Sequence, residues 1–340
     1  MKKQKFILMV VLIAIFISSM VSFVGAKENV RIAMLVKNLG NAYIEAEADG
    51  GLEAAKELGD VEFIYQGPTT ATAEGQIEIM DSLIAQKVDA IAIQANDVDA
   101  LVPICKRAMK SGIKVISFDS ELAPEGRILH LDQASPELIG RSEVKVLAEL
   151  INYKGEIAIL SATSQATNQN TWIEWMKEEL KEPAYKDMSL VAVVYGDDLS
   201  DKSYREAMGL FKSYPDLRGI ISPTTVGIAA TGKALEDAGK AGKIELTGLG
   251  LPSEMKQYIK NGTCRKMLLW NPIDFGYFAT YVAYRLVKGE IKGKEGELIQ
   301  AGRMGEMKIE DKDGSGNLKA ILGPPYVFDK DNIDKFAAIY

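Results

Sequence analysis

The sequence predicts an α/β protein built as two doubly wound parallel-sheet lobes with a ligand cleft between them. Three observations carry this expectation. Runs that are apolar at successive positions ("VRIAMLV", "DAIAIQA", "KVISFD", "GEIAILSA", "GIISP") read as strands buried on both faces. Segments of helical periodicity stand between most of them, and strand–helix alternation implies right-handed crossovers and parallel sheets. The units number roughly ten, too many for one ordinary domain.

In chain order, residues 1–26 read first as an export signal. Lys2, Lys3 and Lys5 make a basic start, an apolar stretch begins at Phe6, and Val24-Gly25-Ala26 offers small residues for cleavage before Lys27. No cysteine stands near that site, so a lipid anchor is not expected, and the mature chain should be free and soluble outside the cytoplasmic membrane. Strand "VRIAMLV" then leads into helix "NAYIEAEADGGLEAAKELG", "VEFIY" into "TAEGQIEIMDSLIAQK", and "DAIAIQA" into "DVDALVPICKRAMKSG". "KVISFD" follows. "GEIAILSA" feeds a helix ending near Leu180, "SLVAVVYG" feeds "LSDKSYREAMGLFKSY", and "GIISP" feeds a helix through Ala238. "KIELTGLG" precedes "PSEMKQYIKNG", and "RKMLLW" precedes "PIDFGYFATYVAYRLVKG". The expected division is 27–120 with 271–302 in the N-terminal lobe and 121–270 with 303–340 in the C-terminal lobe. The turn-rich tail after Gly302 is expected to wrap one lobe.

Composition excludes several functions. The chain carries 40 basic and 47 acidic residues, a net charge of −7. Loss of the three signal lysines deepens that imbalance, and with no basic block a nucleic-acid partner is not expected. Of two cysteines, Cys105 falls in a helix's apolar stripe and Cys264 at the mouth of a strand, so buried thiols are favoured over a disulfide. A single histidine, His130 in the alternating strand "RILHLD", argues against a histidine metal site or a catalytic triad and for a structural role. "TGLGLPS" lacks the third glycine of a dinucleotide loop. "DKDGSGN" at 311–317 begins like a calcium loop, but Leu322 stands where a bidentate glutamate is needed. No cofactor and no metal is expected.

The informative residues recur at the carboxyl ends of strands, the edge at which open parallel sheets bind ligands. Strand one ends with Lys37, Asn38, Asn41 and Tyr43, and the third ends with Gln94, Asn96 and Asp97. Asp119 follows "VISF", the uncharged run "LSATSQATNQNTW" contains Asn168 and Gln169, "GIISPTT" presents Pro223, Thr224 and Thr225, and "MLLWN" presents Trp270 and Asn271. Neutral amides and hydroxyls can bond every hydroxyl of a sugar. Asp119 would accept hydroxyl protons and Lys37 would donate to oxygens. Trp270 or Tyr43 would cover the C–H face of a ring. An anionic ligand would call for arginines, and none stands at these strand ends.

Residues Val30 to Tyr340 resemble the sugar-type periplasmic binding proteins of the ribose-binding-like class, which serve ABC transporters. The stretches "YQGPTTATAEGQIE", "SATSQATNQN", "YGDDLSDKSYREA", "TGLGLPSEMK" and "WNPIDFGY" are most similar to rhamnose-binding proteins and autoinducer-2 receptors. The resemblance implies lobes joined by a three-strand hinge, a monomer that closes over one sugar, and an ABC permease as partner. Lys37, Asp119, Gln169 and Pro223 match ligand contacts of the autoinducer-2 receptors. Asn168 stands where those receptors have aspartate, and Thr225 where they have alanine. Asn271 stands where ribose-type relatives place a polar contact beside the hinge. The expected function is reception of a rhamnose-like monosaccharide, with autoinducer-2 as the alternative. A sugar-acting enzyme, which would need two carboxylates across the cleft, is the distant one.

Overall fold

A computed structural model describes residues 29–311 and 314–340; the signal segment lies outside these described residues. The larger sheet contains β1 (Val30–Leu35), β2 (Val61–Gln66), β3 (Ala90–Ile93), β4 (Lys114–Phe118), β5 (His130–Asp132) and β13 (Lys319–Ile321), in the order β13-β5-β4-β3-β1-β2. Every pairing in it is parallel. The smaller sheet is also parallel, with β6 (Gly155–Ser161), β7 (Met188–Tyr195), β8 (Leu217–Ser222) and β9 (Glu245–Gly248) in the order β7-β6-β8-β9. Two antiparallel pairs complete the strands. β10 (Met267–Leu269) pairs with β14 (Tyr326–Phe328), and β11 (Leu298–Gln300) with β12 (Glu306–Lys308).

Helices α1 (Ala42–Leu58), α2 (Ala73–Ala85) and α3 (Val102–Lys110) follow the first three strands. The smaller sheet carries α4 (Pro136–Ile151), α5 (Thr167–Glu179), α6 (Ser200–Ser213), α7 (Thr225–Asp237) and α8 (Pro252–Lys260). The chain then returns through α9 (Pro272–Lys288), which lies along α1, and ends at α10 (Ile333–Phe336), which lies against α8. Central strand β3 is apolar and buried throughout, and β8 is buried except at Arg218, as sheets covered on both faces require.

Among the described residues the chain passes from the larger sheet toward the smaller one at Gln133–Ser135, and between the larger sheet's side and the β10–β14 pair at Trp270–Asn271 and Leu322–Pro325. A division drawn after Ser120 falls inside the larger sheet, because β5 and β13 both pair there. The tail does not wrap one lobe. It runs β13 beside β5 in the larger sheet, then β14 beside β10, which is bridged at Leu268 to Leu249 just after β9. The short strands β5 and β10 lie within the stretches "RILHLD" and "RKMLLW" read as strands from sequence, but their pairing with β13 and β14 depends on neighbours distant in the chain.

His130 has the structural setting expected of it. Ser117 Oγ lies 2.9 Å from its Nδ1, and its Nε2 lies 3.1 Å from Asp132 Oδ1. All three are buried in the larger sheet. Lys319 of β13 lies 3.4 Å from Asp132 Oδ2, so this polar row helps to hold the tail. The cysteines are free and buried, and burial raises the Cys105 thiol to about 12. Reducing agent should therefore leave the melting temperature unchanged, measured by calorimetry with and without dithiothreitol.

Glu143 on α4 is fully buried, and neither carboxylate oxygen has a partner among the described residues. Burial raises its carboxyl well above the ordinary value of 4.5, so the neutral form is the one the fold tolerates. The sign follows from linkage. Stability associated with this proton is complete below 4.5 and is lost as pH climbs toward the raised value. Glu143→Gln should be close to neutral at low pH and stabilising by about 1–3 kcal/mol at high pH. Denaturant titrations at pH 5 and pH 8 measure this. A variant advantage that does not grow with pH would refute it.

Candidate functional site

The carboxyl ends of the two sheets face each other across a narrow cleft. From the larger lobe, Lys37, Asn41, Tyr43, Ile44 and Asp119 line it. Gln169, Trp172, Asp198, Pro223, Thr224, Thr225, Leu249, Leu269 and Trp270 line it from the other side.

Asp119 directly follows β4 with φ of 58°. Left-handed backbone at a non-glycine residue is uncommon, and aspartate is among the residues that tolerate it best. Its Oδ2 lies 3.0 Å from Lys37 Nζ, and both side chains are more than nine-tenths buried. Asn168, from α5 in the opposite lobe, completes the group. Its Oδ1 accepts from Lys37 Nζ at 3.2 Å and from Ser120 Oγ at 3.2 Å, while its Nδ2 donates to Asp119 Oδ2 at 3.3 Å. The pair is therefore bridged directly from one lobe to the other.

Buried amides position Lys37 from behind. Its backbone N–H donates to Gln94 Oε1 at 3.2 Å, and Gln94 Nε2 donates to Glu47 Oε2 at 2.5 Å. Burial, and then the negative charge of Asp119, push the Glu47 carboxyl well above its ordinary value. Gln76 spans strands β1 and β3 by donating to the carbonyls of Val36 and Gln94.

An aromatic wall closes the cleft on the hinge side. Trp270 Nε1 donates to Tyr43 OH at 2.6 Å, and the Trp270 ring stands edge-on to Tyr43 (centroids 6.2 Å) and Trp172 (6.0 Å). Opposite it, Thr225 Oγ1 lies 3.5 Å from Asn41 Oδ1, a second contact between lobes. The Gln169 Oε1 is buried with no partner among the described residues, so this cleft residue holds a spare acceptor.

The structure brings Lys37, Asn41, Tyr43, Asp119, Gln169, Pro223, Thr224, Thr225 and Trp270 together around one cleft. Asn168 sits at its edge, joined to the Lys37–Asp119 pair. Three residues go elsewhere. Asn271 caps α9, its Oδ1 accepting from the N–H groups of Ile273 and Asp274. Asn96 Nδ2 donates to the carbonyls of Lys37 and Thr72. Asn38 and Asn96 both line a neighbouring space at the mouth of the cleft.

Asp198 was missed by sequence reasoning although it too follows a strand, β7. It accepts from Thr224 Oγ1 at 2.5 Å and follows Asp197 in a left-handed pair (φ 53° and 52°). Burial raises its carboxyl above the ordinary value against the opposing charge of Lys37. The strand-end rule applied to "VVYGDD" would have found it. Trp172, Leu249 and Leu269 carried no signal separate from core.

Comparison with known proteins agrees with this geometry. The family described as "Periplasmic binding protein domain" matches residues 32–291. A solved ABC transporter solute-binding protein from Clostridium phytofermentas with bound L-rhamnose is 38% identical; the match covers 92% of this chain and 99% of that one, with a TM-score of 0.88. LsrB from Clostridium saccharobutylicum, solved in complex with AI-2, is 21% identical over 90% of this chain and 99% of that one, with a TM-score of 0.85. At that identity the likeness is one of fold. The D-ribose/D-allose-binding protein of Pseudomonas aeruginosa is 26% identical over 69% of this chain and 75% of its own length.

Proposed function

The chain belongs to the periplasmic binding protein family, the solute-binding proteins of ABC transporters, and from that premise we propose that it is an exported, monomeric receptor for a neutral, rhamnose-like monosaccharide. One observation carries the reading: a buried Lys37–Asp119 pair in a cleft otherwise lined by amides, hydroxyls and aromatic rings. Such a pair can give and accept hydroxyl bonds at one ring while presenting no net charge to it. Trp270 and Tyr43 would cover the C–H face of the sugar, and Gln169, Thr224 and Thr225 would reach its hydroxyls from the second lobe. Closure would hide the ligand from water, and a permease would read the closed state.

Rhamnose is favoured over autoinducer-2 by similarity, 38% identity to the rhamnose-bound protein against 21% to the AI-2-bound one. Asn168 and Thr225 also depart from the residues expected for autoinducer-2. Isothermal titration calorimetry of residues 27–340 with each compound separates these cases. Micromolar binding of L-rhamnose with none of autoinducer-2 is expected; the reverse would make the chain a signal receptor.

Asp198 raises a second reading, because it supplies the second cleft carboxylate that a sugar-hydrolysing site needs. Incubation with 4-nitrophenyl α-L-rhamnoside should release no nitrophenol. Turnover abolished by Asp198→Asn would establish hydrolysis instead.

A further inference from the structure

The uncharged run after β6 faces two spaces. Gln169 and Trp172 line the inner cleft, while Thr163 and Gln165 line an outer compartment with about 1140 Å³ of open space at its mouth. The wall between them is one residue thick in two places. Lys37 lines the inner space and Asn38 the outer, and Asp198 lines the inner and Asp197 the outer.

The outer compartment draws on both lobes. Thr69, Thr70, Thr72 and Asn38 come from one side, and Thr163 and Gln165 from the other. Its charged lining residues, Glu74, Asp97 and Asp197, are all carboxylates, and Asp197 accepts from Lys202 Nζ at 2.5 Å. Asn38 Oδ1 is a buried oxygen without a partner among the described residues. Lining hydroxyls, amides and carboxylates match the hydroxyls of a polyol. The aromatic rings and the charged pair that would hold one ring line the inner space, and the outer compartment adjoins it.

Resting on the sugar reading above, we propose that the receptor takes a glycoside of more than one unit, its terminal sugar in the inner cleft and the next unit in the outer compartment. The linkage crosses where Lys37 Nζ and Asn168 Oδ1 meet at 3.2 Å, and ligand oxygens take over the bonds these two groups make with each other. The many amides and hydroxyls of "SATSQATNQN" then serve both units.

Calorimetry of residues 27–340 with L-rhamnose, rutinose (rhamnose linked 1→6 to glucose) and neohesperidose (linked 1→2) tests this. At least one disaccharide should bind tenfold or more tighter than rhamnose. Thr70→Trp, which fills the outer compartment, and Gln165→Ala should bring that disaccharide to the level of rhamnose and leave rhamnose within twofold. Both positions are exposed, so the variants should fold. Rhamnose binding as tightly as both disaccharides would overturn the second subsite and leave the monosaccharide reading intact. Binding of none of the three would overturn the sugar reading and the extension with it.

Discussion

Replacing Asp119 by alanine should weaken sugar binding about 100-fold, roughly 3 kcal/mol. Two costs add. The ligand loses a charge-assisted acceptor, and Lys37, buried and 3.0 Å from that carboxylate, loses its counter-charge. Breaking a buried pair by removing one partner costs more than the pair contributes, because the remaining ammonium stays in a poorly solvated place. Alanine also tolerates the left-handed backbone at φ 58° poorly. Asp119→Asn separates these effects: asparagine accepts that backbone and keeps one acceptor oxygen, but not the charge. It should lose about tenfold, and calorimetry of both variants is the measurement. An affinity within twofold of wild type in Asp119→Ala would remove Asp119 from the site.

Gly276→Ala should destabilise the fold by about 3 kcal/mol, lowering the melting temperature by about 5 °C or more. Helices α1 and α9 meet backbone to backbone. A Cβ at Gly276 would collide with the carbonyl of Glu47, and a Cβ at Gly50 with the carbonyl of Ile273. Neither obstacle is a side chain that could rotate away, so the helices would have to separate, and the better helix propensity of alanine, about 1 kcal/mol, is outweighed. Gly209 on α6 is the control. Nothing lies within 4 Å of a Cβ there, so Gly209→Ala should gain up to about 1 kcal/mol. The first variant should also bind ligand more weakly. Glu47 lies on α1, and through Gln94 it supports the backbone of Lys37. Calorimetric melting of both variants tests the packing. Equal stability would mean that the helices can part at little cost.

Sequence alone determined the alternation of buried strands and helices, and hence two parallel sheets, since a strand covered on both faces has to be apolar throughout. It also located most of the cleft, because parallel sheets present side chains to ligands at their carboxyl ends whatever the details of packing. Lys37, Asp119, Gln169 and Thr225 were legible for that reason. Tertiary structure alone decided the rest. Asn271 and Asn41 begin helices in the same way, and only the path of each helix leaves Asn41 facing the cleft while Asn271 spends its carboxamide on Ile273 and Asp274. The short strands β5, β13 and β14 took their places by pairing with segments up to nearly two hundred residues away, which no local periodicity records. The bridge from Asn168 to Lys37 and Asp119 likewise joins residues brought together only when the lobes meet. Local pattern reports what a segment must bury; which polar group meets which across the cleft depends on the orientation of whole lobes.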